Sequence, residues 1–538
     1  MGSSSLLFWR LTATQRIAVP AVGGAYTEGI LGEPRTVNPL FATHSSADLD
    51  IISLLYSPLF KTDLRNDKFF SPTLAKGVSM SPDGKIYTVA IRSDFRWHDG
   101  QPLTIADVLF TIGRIQDPQV QSSYAAALQK VSVRQSGPDL LTFTLPSPSS
   151  TFLASLTWGV LPSHRWQGRT NWQTMDPELV GSGPFRFKSM DRGKDGRITQ
   201  IVLERFAKSP EAPRLKTLTL RFFPSLESAI PAFERRKIDG LLTNVSAAVE
   251  NALKRRTDAN TITLSLPEYT AFFFNPREQP IFADVSLRRA LVNALPKDRI
   301  VKEAFGNSAD VAAGIFTPEL YPLPQPRVDP PDRASIEREL LRSGWKLVDG
   351  VRVNQNKKVL RFSITTPDVP SYRSAAEAAA ASWKSYGANV EVRSVGSETF
   401  LSDVIRPRAY DVLLYGQNLG ADPDPFAFLH SSQLDDPGLN LSLWRNQKGD
   451  ELIDDARSQA TPELRRALYT QLEMLIANDA PAAILAHPKI LYLLPKQLLG
   501  VTLATLATPA DRFANIANWY LKTTSRWKFF KERPGGGQ

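Results

Sequence analysis

Strand-like and helix-like stretches alternate without interruption between residues 360 and 415, an order that few folds accept. Residues 360–365 read as a strand, 371–386 as a helix, 389–395 as a strand, 397–405 as a helix and 410–415 as a strand. A β-α-β-α-β order of this kind is the signature of an open α/β lobe. One lobe accounts for little of a 538-residue chain. That length exceeds what a single hydrophobic core holds, so about two to four domains are expected. Two α/β lobes facing each other place a binding site where strands end at their interface.

The remaining segments fit the same class. Asp83-Gly84, ahead of the alternating residues 86–91, predicts a hairpin. Thr104, with Asp107 three residues on, caps a helix that buries Val108, Leu109 and Ile112 and ends near Asp117-Pro118. Residues 140–145, 201–206 and 218–223 read as strands. Ser225 opens a helix reaching Arg236, with Pro231 expected to kink or break it. An extended aromatic passage covers residues 261–274 and ends at Asn275-Pro276; a helix follows over 285–295, and Pro296 suits the first turn of the next. Residues 463–478 predict a long amphipathic helix with Leu464, Leu468, Leu472 and Leu475 on its apolar face.

Composition narrows the chemistry. The chain has no cysteine, which excludes disulfides, thiolate metal sites and cysteine catalysis. Its five histidines (His44, His98, His164, His430, His487) include no pair at metal-ligand spacing, so neither a metal nor a cofactor is expected. G-x-S-x-G, H-E-x-x-H and P-loop patterns are missing. Asp422 and Asp424 would point to opposite faces of an extended segment, which argues against joint acid/base work. The net charge of +10 is uneven. Lys522, Arg526, Lys528, Lys531 and Arg533 crowd the C-terminus with Trp527, Phe529 and Phe530 between them. A solvated basic tail explains this stretch more simply than membrane or nucleic-acid contact, and no nucleic-acid motif is present. Leu6-Leu7-Phe8-Trp9 is too short for the apolar core of a signal peptide, so the numbering is expected to begin after a removed or truncated export segment.

Residues 95–108, Phe-Arg-Trp-His-Asp-Gly-Gln-Pro-Leu-Thr-Ile-Ala-Asp-Val, resemble the signature of the family 5 extracellular solute-binding proteins, the oligopeptide and dipeptide receptors of ABC importers. Thr36-Val37-Asn38-Pro39-Leu40, Leu54-Leu55-Tyr56-Ser57-Pro58-Leu59, Gly181-Ser182-Gly183-Pro184-Phe185, Lys237-Ile238-Asp239-Gly240 and Phe274-Asn275-Pro276 resemble further family segments, in family order. The resemblance implies a type II periplasmic-binding-protein-like α/β fold: two α/β lobes joined by hinge strands, plus a small extra α+β domain. On this reading residues 23–62, 179–268 and 493–522 form lobe I, 63–178 the extra domain and 269–492 lobe II. Residues 1–22 are a linker or truncated export segment and 523–538 a basic tail. The signature itself reads as a turn and a helix cap, since a lone His98 beside Asp99-Gly100 is more often structural than catalytic.

The resemblance also implies a ligand site. Gly420-Ala421-Asp422-Pro423-Asp424-Pro425 is similar to a segment whose aspartate pairs with a peptide's α-ammonium, which makes Asp422 the leading candidate and Asp424 the second. A buried carboxylate facing an ammonium gains a charge-assisted hydrogen bond and rejects ligands lacking the amine. Gly420, Asn38 after the first strand, Tyr269 on an edge open to β-augmentation, and Trp444 complete the candidates. The expected protein is extracytoplasmic, monomeric and not an enzyme. Its partners would be a peptide or other small solute and the permease and ATPase subunits of an importer. A signalling-peptide receptor or surface binding protein of the same fold is the alternative.

Overall fold

A computed structural model describes residues 16–527, apart from 45, 65–68, 174, 320, 325–331, 460 and 504. The basic residues Lys528, Lys531 and Arg533, and Leu6 to Trp9, lie outside the described residues. Strands β1 (Arg16–Ala21) and β2 (Ala25–Leu31) precede helix α1 (Ser46–Leu55). Then come β3 (Phe60–Thr62), β4 (Phe70–Pro72), β5 (Ala75–Met80), β6 (Ile86–Ile91), helix α2 (Ile105–Gln116), β7 (Ser132–Gln135) and β8 (Leu140–Thr144). The chain returns through β9 (Phe185–Arg192), β10 (Ile198–Arg205), β11 (Thr217–Phe223), β12 (Gly240–Thr243) and β13 (Ala259–Ser265). The second half holds β14 (Glu268–Phe274), β15 (Ala309–Val311), β16 (Lys346–Val348), β17 (Val351–Val353), β18 (Arg361–Pro367), α3 (Pro370–Ser385), β19 (Asn389–Val395) and β20 (Val412–Asn418). Helices α4 (Gln447–Ser458) and α5 (Pro462–Asp479) lead to β21 (Ala482–Pro495) and β22 (Lys522–Trp527).

The alternation that opened the sequence reading is present. β18 pairs in parallel with both β19 and β20, and α3 crosses between them. Trp383 on α3 packs on Phe272, Phe274 and Phe362, and its indole N–H reaches the Leu291 carbonyl at 2.8 Å. These strands form one end of a continuous sheet ordered β19-β18-β20-β14-β21-β12-β2-β11-β10-β9. Two lobes share that sheet because β21 belongs to both. Its first half pairs with β14 and β15, its second with β12 and β13. The expected extended passage 261–274 is broken at Leu266-Pro267, so β13 and β14 run beside β21 and cross between lobes with it. β21 itself runs unbroken through Pro488, paired there with Ala309 although the proline has no N–H to give the ladder.

A separate four-stranded sheet, β5-β6-β8-β7, carries the signature segment beside it. Gly84 takes φ +67° in the expected β5–β6 hairpin. Thr104 caps α2 through the Asp107 carboxylate, which also accepts from the Ser163 N–H at 3.0 Å. His98 works as a latch rather than a simple turn residue. Its Nδ1 accepts from the Gly181 N–H at 3.1 Å, its backbone N–H donates to Gly181 O, and Nε2 lies 3.3 Å from Gly183 O. Burial pushes its imidazole down to about 4, so the ring is neutral, as an acceptor at Nδ1 requires. Gly183 in turn donates to Leu55 O at 2.8 Å, and a Cβ at Gly181 would run into that same oxygen. Three motifs far apart in sequence thus meet at one point.

Some expectations need correcting. Residues 16–21 are not linker but β1, paired antiparallel with β22, which also takes up the first residues of the basic tail. Pro231 sits within helix Leu226–Glu234 without breaking it. Residues 397–405 begin as a helix at Ser397–Phe400 and continue as a wider π-type turn over Leu401–Ile405. On α5 the buried face is Arg465, Tyr469, Leu472, Glu473 and Ile476, while Leu464 is exposed. Charged residues thus occupy positions that the leucine spacing assigned to solvent.

Candidate functional site at the lobe boundary

The strand ends of lobe II converge where β20 stops at Asn418 and the chain turns through Gly420. Gly420 adopts φ +82° and donates its N–H to the Asn418 side chain at 2.8 Å, a left-handed turn that glycine makes without strain. The Asn418 amide reaches Ala507 O at 3.4 Å, across to the segment that follows the β21 crossing. Leu419 N–H donates to Pro267 O, which ties this turn to the other crossing.

Asp422 follows, buried, and does not stand alone. Arg465 of α5 grips both its oxygens: Nη1 meets Oδ2 at 3.1 Å, and Nη2 closes a second, short bond to Oδ1. Arg465 Nε donates to the Tyr321 hydroxyl at 3.1 Å, and Nη1 also reaches the Ser150 hydroxyl at 3.3 Å. Ser150 lies just beyond β8, so this cluster joins lobe II to the extra sheet. The Ser150 N–H to Arg457 O bond (2.8 Å) and the Phe69–Tyr321 stack (6.0 Å) cross the same boundary. Burial pushes the Asp422 carboxyl up, against the pull of Arg465. Burial opposes the Arg465 charge too, but Asp422 together with the Tyr469 and Tyr321 phenols outweighs it and holds the guanidinium firmly protonated.

The other candidates are spread around this centre. Asp424 pairs with Arg457 Nε at 3.0 Å and caps the Phe426 N–H, also at 3.0 Å. Tyr269 is fully buried on β14, its hydroxyl donating to Gln417 Oε1 at 2.5 Å. Asn38 is fully buried too, giving its amide N–H to Trp172 O and accepting from Leu40 N–H. Trp444 binds Asp479 Oδ2 through its indole N–H at 3.0 Å. Asp479 ends α5, 14 residues beyond Arg465, or about 21 Å along the helix. Asp422 and Asp424 are thus brought together with two arginines, while Trp444 stands at the far end of lobe II.

Sequence reasoning missed Arg465, Arg457 and Tyr321. A weak signal for the first was present: positions 465, 469, 472, 473 and 476 share one helical face, but a face holding arginine and glutamate reads as solvated.

The sequence model of the family described as bacterial extracellular solute-binding proteins, family 5, matches residues 70–439, more than half the chain. The chain belongs to this family. Its location is accordingly extracellular in the family's sense, and among the described residues no helix is long and apolar enough to cross a membrane. This solute-binding protein is similar to the oligopeptide-binding protein AppA of Bacillus subtilis: 26% identical over 526 residues, covering 95% of this chain and 94% of the relative. The structure of that AppA in complex with a nonapeptide superposes with a TM-score of 0.72, over 94% of this chain and 100% of the other. The ABC transporter substrate-binding protein CtaP of Listeria monocytogenes is 24% identical and superposes at 0.78, over 93% and 99% of the two chains. The type II two-lobed α/β architecture follows from these likenesses and from the shared sheet.

Proposed function

We propose that this chain captures a peptide or peptide-like solute between its two lobes and hands it, chemically unchanged, to the permease of an ABC importer. It acts as an extracytoplasmic monomer, with permease and ATPase subunits as partners at the membrane. The observation that carries the reading is the narrow connection between lobes. Among the described residues the sheet strands join them only through β13–β14, interrupted at Pro267, and β21, which carries Pro488 at the same level. Such a connection allows hinge closure, and a solute that touches both lobes only when they are closed shifts the population toward the closed form. The nonapeptide complex of the similar AppA supports a peptide as that solute.

At the site, Asp422 takes the solute's α-ammonium, and Arg465 is the partner it must release or share. Gly420 opens backbone groups to the solute, and Asp424, Tyr269 and Asn38 shape and stiffen the walls. Asp422→Ala is expected to weaken binding of free-N-terminus peptides at least about tenfold more than that of their N-acetylated counterparts, a difference of about 1.4 kcal/mol. Titration calorimetry with matched pairs reads this directly. Equal loss for both forms would remove the ammonium role from Asp422.

A further inference from the structure

The turn from β13 into β14 delivers an acidic side chain for which the described residues supply no cation. Glu268 opens β14 opposite Asn418, the last residue of β20, and is partly buried. Among the described residues no ion pair reaches its carboxylate, and burial alone pushes its carboxyl up. The neighbouring cations are engaged elsewhere. Lys489 holds Asp310 at 2.5 Å and Arg373 holds Asp368. His487 donates its Nδ1–H to the Glu268 backbone carbonyl at 2.9 Å, and burial lowers its imidazole below the usual value.

This carboxylate and a phenol close on a glycine of β20. A Cβ on Gly416 would lie 2.7 Å from Glu268 Oε1 and 2.9 Å from the Tyr372 hydroxyl. Only a residue without a side chain fits there, and its backbone forms the floor of a cradle whose walls are an anionic acceptor and a phenol. Its place in the fold is telling. β18 and β20 are parallel and end here, α3 begins here with Tyr372 in its first turn, and Glu268 adjoins the hinge at Pro267. Ligands of open α/β sheets bind outside the carboxyl ends of such strands. A lone carboxylate partly withdrawn from water is costly until a cation joins it, and the phenol oxygen can accept a second N–H from the same group.

We infer that the Glu268–Gly416–Tyr372 cradle receives a cationic group of the bound solute, an ammonium or guanidinium. The inference rests on the peptide reading above and narrows it to peptides carrying a basic side chain. The test uses a synthetic pool of short peptides in which each lysine-containing member has a norleucine twin, with retained peptides identified by mass spectrometry after gel filtration. The wild-type protein is expected to retain lysine members about tenfold over their twins. Glu268→Gln, which keeps shape and removes charge, is expected to retain both alike, and Gly416→Ala to do the same by pushing the carboxylate and the phenol out of place. A wild-type pool without lysine preference, or a preference unchanged in Glu268→Gln, overturns the inference and leaves the peptide reading intact. Retention of no peptide by the wild type brings down the peptide reading, and the inference with it.

Discussion

Two buried arginines divide the molecule between what is fixed and what can move. Arg512 sits inside lobe I with Glu28 of β2 and Asp50 of α1, at 2.7 to 2.8 Å through Nε, Nη1 and Nη2. Tyr26 and Tyr492 hydroxyls close on the second Glu28 oxygen at 2.8 and 2.9 Å, so every charged atom is bonded within one lobe. Arg465 has one carboxylate, and its remaining bonds go to Tyr321 and, across a domain boundary, to Ser150. The same chemistry gives a rivet in one place and a detachable clasp in the other. What differs is whether the partners belong to one rigid body.

The largest expected effect breaks the rivet. Arg512→Met leaves two carboxylates facing each other in a closed core and is expected to cost about 3–5 kcal/mol. Urea unfolding reads it, and a loss below about 1 kcal/mol would mean the centre is no rivet.

A second change sharpens the contrast, since Glu473 is a buried carboxylate on the Arg465 face of α5 that no arginine pairs with among the described residues. Its Oε1 accepts from Ile315 N–H (2.8 Å) and Phe316 N–H (3.2 Å), yet burial raises its carboxyl from 4.5 to about 7. A carboxyl raised on folding stabilises the protein in its protonated form. That stability is complete below pH 4.5 and lost as pH rises through about 7, a span worth about 3 kcal/mol. Glu473→Gln is expected to flatten this slope and to be the more stable protein at pH 8. Urea midpoints at pH 5 and pH 8 check it, and parallel slopes for both proteins would refute it.

The smallest effect loosens the clasp. Arg465→Met is expected to cost only about 1–2 kcal/mol, because it strands one carboxylate rather than a facing pair, and Asp422, already pushed up by burial, can take a proton in place of its partner. Solution scattering of the unliganded variant is expected to show a more open particle than the wild type. An unchanged particle would mean that Arg465 does not help hold the boundary closed.

Much of this architecture could be read from the sequence, because alternation is a local property. Residues 389–395 were placed to the residue, and the α3 and α5 boundaries fall within one. The strand pairings depend on no local signal, so the sharing of β21 by both lobes could not be read. Nor could the burial of Arg465 and Glu473. Leu464, Leu468, Leu472 and Leu475 describe a convincing apolar stripe, but α5 turns so that Leu464 is exposed and charged groups meet partners from distant segments. Asp422 was legible as a candidate through its prolines and glycine. Its occupation by Arg465 was not, since 43 residues separate them and only packing joins them.

The shared strand also sets a timetable. β21 ends at Pro495, near the close of the chain, yet β12, β13, β14 and β15 all wait for it as a neighbour. A chain synthesised from its N-terminus must therefore hold these edges open until β21 arrives. Contacts of such long sequence separation fold slowly, and unpaired edges meanwhile invite aggregation. The geometry that lets two lobes hinge on one strand also makes the nascent chain dependent on whatever protects it until residue 495 is in place.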